Sequence, residues 1–420
     1  MCSSAKGDRL TKLFQKIRNG LKWRFDLAIR KTGKKQSLSL VLVKDHNEFG
    51  GVKTLCSNTN RHTDFIAPFL YDQHLEVIRQ PAIKAAVPDV HLLELNDVRV
   101  IGSTMAVVRD GKVLHPELRH TEVTHDSKSP DIYQFTDTER KTLNFNTFTR
   151  IGGRKRVKVG IHLLKEHSSN YYHWLFECLP RLKYLIENIG SSGNCDKFTI
   201  LIDENILEEG VIAMRRLINF PFEIKKVRRG ELVHCDRLFY TSPLWYSLDN
   251  SKHRVDTHRD YAVDKYAVET IRRSFLNLEK CSAPTRKIYL KRAASQVRRI
   301  INSDEVEQVM RNNGFEILYA HDFSFADQVA LFSSAKVVVG ASGAAFSNMV
   351  FMQPGTKAVI FSPKQLEVFN YYIFQQQADV AQVELAHLLA VPAKQDDFFI
   401  HDNFFVNVED LERLVKQLTA

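Results

Sequence analysis

The chain has 420 residues, 44% of them hydrophobic and 26% charged, with a net charge of +10. That length suits two domains of roughly 150–200 residues each, and the balance excludes a disordered chain. Its longest apolar runs, such as Val337 to Val339 and Met349 to Met352, fall far short of the ~20 residues that span a bilayer.

The charge gathers at the start. Residues 1 to 35 carry eleven Lys or Arg against Asp8 and Asp26, and the rest is nearly neutral. Leu10, Leu13, Phe14, Ile17, Leu21 and Phe25 recur among them at helical spacing. This predicts a basic amphipathic helix over 1–37 of the kind that lies on an anionic membrane. A helix packed on the body with a solvated basic face is the alternative. MCSSAKGDRL lacks the apolar core of a secretory signal, so the expected location is cytoplasmic, peripheral on the inner face of the membrane. Nothing later resembles a base-reading module, and nucleic acid is not an expected partner. The six cysteines form no CxxC pair, which argues for reduced thiols.

From Leu38 onward, Ser39 to Val43, Val98 to Gly102 and Met105 to Leu114 read as strands, with Asp110–Gly111 as a hairpin turn. Residues 115 to 155 are polar. A regular order follows: strand Lys158 to Leu164, helix Tyr172 to Ile189, strand Lys197 to Asp203, helix Ile206 to Leu217, then strands Phe222 to Val227 and Arg237 to Ser242. Such alternation predicts a parallel sheet covered on both faces. Residues 250 to 280 read as charged and helical.

A second series starts at Lys287 to Arg292. The helix SDEVEQVMRNNG is predicted to open on a capping Ser303 and to close at Gly314. FEILYA, SFADQVALFSSA, KVVVGAS and KAVIFSP then give strand, helix, strand and strand, the pattern of a doubly wound nucleotide-binding domain. The predicted divisions are the extension 1–37, Rossmann-like domains at 38–245 and 246–400, and a helix within 401–420 that crosses back to the first domain.

In such sheets ligands sit beyond the carboxyl ends of the strands. The run KVVVGASGAAFSN passes from a strand through Gly340, Ser342, Gly343 and Ala344 into helix-forming residues. Small side chains let backbone amides approach a diphosphate, and the first turn of a helix attracts anions; a turn that only packs a helix tightly would read the same way. Arg292, Arg298, Arg299 and Asn302 follow the other strand, and Arg292 and Arg299 are the candidates for bidentate phosphate contacts.

His173 and Glu177 lie four apart on one helical face, with Asn170 one turn before and Arg181 four after. Leu175, Leu179, Leu182 and Leu185 form an apolar face that predicts core. A carboxylate beside an imidazole is a workable general base; the plainer reading has Glu177 bridging to Arg181. His162 and His167 are not at ligand spacing on that face, and no Asp-x-Asp pair falls at a strand end, so no metal is expected.

Together these residues resemble glycosyltransferase family 61, which includes plant xylan-decorating transferases and many bacterial capsule and lipopolysaccharide enzymes. Its first motif, N-x-Y-H with an acid four residues after the His, is matched by Asn170, Tyr172, His173 and Glu177. Its second is matched by Arg292, Arg298, Arg299, Ile300 and Asn302, and its third by Gly340, Gly343, Ala344 and Asn348. The resemblance runs from about Val159 to Phe361. It implies a GT-B type α/β fold, two Rossmann-like domains with parallel sheets facing a central cleft. It also implies inverting transfer of a hexosyl or pentosyl group from a nucleotide-sugar, UDP-linked, without metal or cofactor. The acceptor would be a saccharide or lipid-linked saccharide in capsule or lipopolysaccharide synthesis.

On that reading Glu177 is the base, with His173 orienting it or sharing the role. Arg292, Arg299, Asn302, Ser342, Gly343, Ala344 and Asn348 would hold the donor diphosphate, and Asn170 and Arg181 would serve the acceptor or give structural support. Ser342 stands where the family pattern has His. A serine carries no charge, and the alternative function is therefore a non-catalytic nucleotide-binding or scaffold protein of the same fold.

Overall fold

The computed structural model describes residues 34–59, 61–87, 89–116, 133–137, 142–147, 155–189, 197–247, 261–292, 298–364, 369–393 and 403–419. The predicted basic helix lies outside them except at its end, where residues 34–37 open the strand Lys34–Leu42.

The chain builds two large sheets. At the heart of the first, four strands run parallel in the order Leu232–Thr241, Lys155–His162, Phe198–Asp203, Phe222–Val227. Phe198–Asp203 is buried at every position, which is what a strand inside a parallel sheet requires of its side chains. Beyond Leu232–Thr241 the sheet is mixed instead of parallel as predicted, with the one parallel pair there between Lys34–Leu42 and Lys112–His115 among the described residues. The 12-residue strand Val90–Ile101 pairs antiparallel with Leu232–Thr241 along most of its length. Next comes the hairpin Val107–Arg109 with Lys112–His115, whose turn residues Asp110 and Gly111 take φ of 45° and 75°. Both left-handed values suit the twist of a two-residue hairpin. The reason for the mixed sheet is local. Among the described residues between 34 and 116 the helices are the short 3-10 segments Val43–Phe49 and Gln73–Leu75. Neither is long enough to serve as the crossover that parallel neighbours need.

The second sheet follows the doubly wound expectation. Its order is Glu316–Leu318, Arg286–Leu290, Ala335–Ala341, Lys357–Pro363, Glu384–Pro392, Phe69–Tyr71, Val77–Arg79, parallel until the last edge strand. Two strands from residues 69–79 therefore extend a sheet assigned to residues 246–400, and the predicted boundary at 245 does not separate the halves. Successive side chains of a strand face opposite ways. Val337 and Val339 enter one core cluster, with Met310 of the helix Ser303–Asn312 and Leu411, Leu414 and Val415 of the helix Val408–Thr419. Val338 enters the other with Phe332 and Phe346. The C-terminal helix thus covers the second sheet instead of crossing back to the first. It touches the 73–75 turn, where the His74 N–H donates to Asp410 Oδ2 at 3.1 Å.

The larger core cluster is continuous with the first sheet. Ile161, Leu201 and Leu238 belong to it, and so do Leu175, Leu179, Leu182 and Leu185, the four leucines predicted to be the buried face of their helix. Gly340 sits where the second sheet is tightest. A Cβ there would stand 2.6 Å from the backbone oxygen of Leu290 on the neighbouring strand. Overpacking against backbone costs about 1–3 kcal/mol. Gly340→Ala is therefore expected to lower the free energy of unfolding by that amount, seen in urea titration as a lower midpoint with an unchanged slope.

Candidate active site

The His173/Glu177 segment forms one continuous helix over 171–189, divided into Tyr171–His173, Trp174–Cys178 and Leu179–Ile189. Asn170 starts it: the carboxamide Oδ1 accepts from the Tyr172 N–H at 2.9 Å, a side-chain cap for an amide that has no helical partner. The middle section is a π turn, closed by the Leu179 N–H to the Trp174 carbonyl. Such wide turns recur at functional sites. Trp174 ties this section to the helix Glu208–Leu217 through an indole N–H donated to Gly210 O at 2.8 Å.

Within that turn His173 Nδ1 lies 2.8 Å from Glu177 Oε2. The same oxygen lies 2.6 Å from Lys165 Nζ. The Glu177 side chain is 2% exposed and that of His173 is 21% exposed. Of the pair, the imidazole is the member that reaches the surface. Burial alone would push the Glu177 carboxyl up, but His173 and Lys165 outweigh it and hold the group below the ordinary glutamate value. Glu177 is accordingly a carboxylate, and His173 Nδ1 donates to it.

Lys165 was not singled out in the sequence, and neither was the residue that fixes it. Asp203, at the end of the strand Phe198–Asp203, accepts from the Lys165 N–H at 3.0 Å and from Ser168 Oγ at 2.6 Å. It also accepts from the N–H and hydroxyl of Ser103. Burial still pushes its carboxyl up. Arg181 is fully buried and does not bridge to Glu177. It donates through Nε to Thr241 O at 2.8 Å and through Nη2 to His162 O at 3.0 Å. Its role is structural.

The second half of the site follows the strands of the second sheet. Arg292 donates through Nη1 to the Ser342 carbonyl at 2.5 Å, and the Ser342 N–H is held by Phe361 O. A Cβ at Gly343 would come 2.4 Å from that same Nη1, so the missing side chain is what lets the guanidinium lie across the turn. The 3-10 helix Ala344–Phe351 begins immediately after Gly343.

The arginine brought beside Arg292 is Arg298, not the predicted Arg299. Arg298 is held at φ 54°; burial, and then the like charge of Arg292, lower it to about 10. Burial lowers Arg292 as well. Neither has a carboxylate within ion-pair distance among the described residues. Arg299 is exposed, and its backbone pairs with the 403–404 segment. Asn302 is engaged as well. Its amide donates to Val406 O at 2.8 Å, and its Oδ1 accepts from the Val406 N–H at 3.1 Å. That residue, not Ser303, stands at the N-cap, without a side-chain cap bond.

Asn348 is fully buried. It accepts from the Tyr171 hydroxyl at 2.7 Å and donates to Gln328 at 2.8 Å. This bond fastens the first turn of the His173/Glu177 helix to the element after the Gly-rich turn, so the two halves adjoin.

The lowered Glu177 value has a consequence for stability. Its contribution is fully present above pH 4.5, the ordinary value, and is lost as pH falls through the lower folded-state value. Glu177→Gln leaves Lys165 buried without its counter-ion, at a cost of about 3–5 kcal/mol near neutral pH. Urea titrations should show that gap narrowing as pH falls from 4.5 through the lower folded-state value, where the wild-type carboxyl itself becomes neutral.

The glycosyltransferase 61 family model matches residues 171–359, from the opening turn of the His173/Glu177 helix to the strand Lys357–Pro363. No curated protein matches the chain. The matched span holds the imidazole–carboxylate pair, the arginines and the Gly-rich turn, and with it the chain carries a glycosyltransferase 61 domain.

Proposed function

We propose that the protein is an inverting glycosyltransferase that moves a sugar from a nucleoside-diphosphate donor, UDP-linked, to a hydroxyl of a saccharide or lipid-linked saccharide. The two sheets would act as the halves of a GT-B arrangement. The observation that carries the reading is the Tyr171–Asn348 hydrogen bond, which fastens the helix of the imidazole–carboxylate pair to the element after the Gly-rich turn and supports taking the two as one site.

The geometry favours a different division of labour from the one expected for Glu177. His173 is the general base: with Nδ1 donating to Glu177, its Nε2 is free of a proton and can take one from the acceptor hydroxyl. Glu177 holds the ring and balances the charge it gains. The acceptor oxygen attacks the anomeric carbon, the bond from that carbon to the diphosphate oxygen breaks, and its electron pair leaves with the nucleoside diphosphate. Arg292 and Arg298 repel each other and have no carboxylate partner among the described residues, so a diphosphate held by both relieves that repulsion and gains two charged forks. With the first amides after Gly343 they stabilise the charge that develops on the leaving group. In this scheme arginines do the work that a divalent cation does elsewhere, and turnover is expected to be indifferent to a chelator.

A thermal-shift screen against nucleoside diphosphates and their sugars is the first test; the reading fails if none stabilises the protein. With a donor in hand, His173→Gln should lower kcat about 10²–10⁴-fold, the range for a general base. Binding without turnover in the wild type would favour the nucleotide-binding scaffold. Arg298→Ala should weaken nucleotide binding by about 10–100-fold, the worth of a charged hydrogen bond, and Arg299→Ala should leave it within about twofold.

The proposal extends to the membrane. Residues 1–35 would hold the protein at an anionic surface, close to a lipid-linked acceptor. Co-sedimentation with phosphatidylserine vesicles should be lost when those residues are deleted and should remain weak on phosphatidylcholine alone.

A further inference from the structure

We infer that Lys165 is a positioning residue for the reaction, the third member of a buried row in which it and His173 share one oxygen of Glu177. The meaning for catalysis rests on the proposed role of His173, but the row itself can be read without any assay of transfer.

The geometry leaves Lys165 little freedom. It is 5% exposed. Its N–H is fixed by Asp203, and its Nζ donates to Glu166 O at 3.1 Å as well as lying 2.6 Å from Glu177 Oε2. The ammonium also rests over the Trp245 ring, 4.8 Å from its centre. A lysine so placed is held away from solvent, and its charge is brought to Oε2 of Glu177.

What that delivery does follows from hydrogen-bond chemistry. An ionised Glu177 can only accept, so the Nδ1 it touches must donate and Nε2 is left as the basic nitrogen. A protonated Glu177 would donate instead, turning Nδ1 into an acceptor and placing the proton on Nε2, where no further proton can be taken. Burial drives Glu177 toward that protonated form, while Lys165 and His173 oppose it. Among the described residues the other charged or titratable groups around the row include Tyr172 and His167, whose ring centres are 5.6 and 5.8 Å from that of His173, Glu166 beside His167, and Cys178, Arg181 and Asp203 behind it. Lys165 is the cation in direct contact with Glu177 that does not itself take part in proton transfer.

The test uses the full chain labelled with ¹³Cδ-glutamate and ¹⁵N-histidine, with Glu177→Gln and His173→Gln serving to assign the two signals. In the wild type the Glu177 carboxyl should titrate below 4.5 and the His173 ring should be protonated at Nδ1 near neutral pH. In Lys165→Met the carboxyl titration should move upward from its wild-type position, and the ring proton should shift toward Nε2. Lys165→Arg should restore both signals. Lys165→Gln keeps a donor without the charge and serves if the methionine variant does not fold; it should follow the methionine pattern. A wild-type ring protonated at Nε2, or a Glu177 titration that does not respond to loss of the Lys165 charge, would overturn the inference. If the spectra follow the expectation while His173→Gln retains turnover, the row stands and the proposed base is wrong.

Discussion

Charge taken out of water sets the terms for the first half of the site. Glu177, Lys165, Asp203 and Arg181 are all nearly or fully buried, and an isolated ion in such a place would cost several kcal/mol. Each is therefore held by partners at hydrogen-bond distance. Glu177 faces Lys165 and His173, Asp203 collects donors from Ser103, Lys165 and Ser168, and Arg181 is capped by two backbone carbonyls. Two acids and two bases sum to zero. That neutrality allows a polar row to run down the inner side of a helix whose other face is leucine.

The second half obeys the opposite rule. Arg292 and Arg298 repel each other, are only partly withdrawn from solvent, and draw on no carboxylate among the described residues. A cation left unbalanced by its own chain is a weak device for stability and a strong one for binding anions. The contrast between a balanced row and an unbalanced pair, joined through Tyr171 and Asn348, is the reason the two halves are read as the proton-handling and charge-neutralising parts of one mechanism.

Much of this was legible in the sequence, and the exceptions have a common cause. Period and punctuation located the strands of the second sheet, the 171–189 helix with its leucine face, and the Asp110–Gly111 turn, because those signals are carried by residues close together in the chain. The His173/Glu177 pair was legible for the same reason. Lys165 carries no local signal; its backbone is fixed by Asp203, nearly forty residues on. Arg298 and Arg299 are neighbours of identical chemistry, and only a left-handed backbone at Arg298 decides which turns inward. Asn302 and Asn348 have the look of ligand-binding amides, yet their groups are occupied by Val406 and by Tyr171 and Gln328. Strands as short as Phe69–Tyr71 carry too little pattern to be assigned to a sheet whose other members lie two hundred residues away or more.

Those short strands also bear on how the protein is made. Phe69 pairs with Ala386 in the second sheet. During synthesis at the usual 5–20 residues per second, the early partner emerges roughly 15–60 s before the late one. Through that interval the hairpin of Phe69–Tyr71 with Val77–Arg79 lacks its neighbour in the second sheet. A ribosome-bound fragment ending near residue 245 would present the outer edge of Phe69–Tyr71 unpaired, the kind of surface on which nascent chains misassociate. The protein is thus threaded rather than serial: its first half is completed only by its last strands.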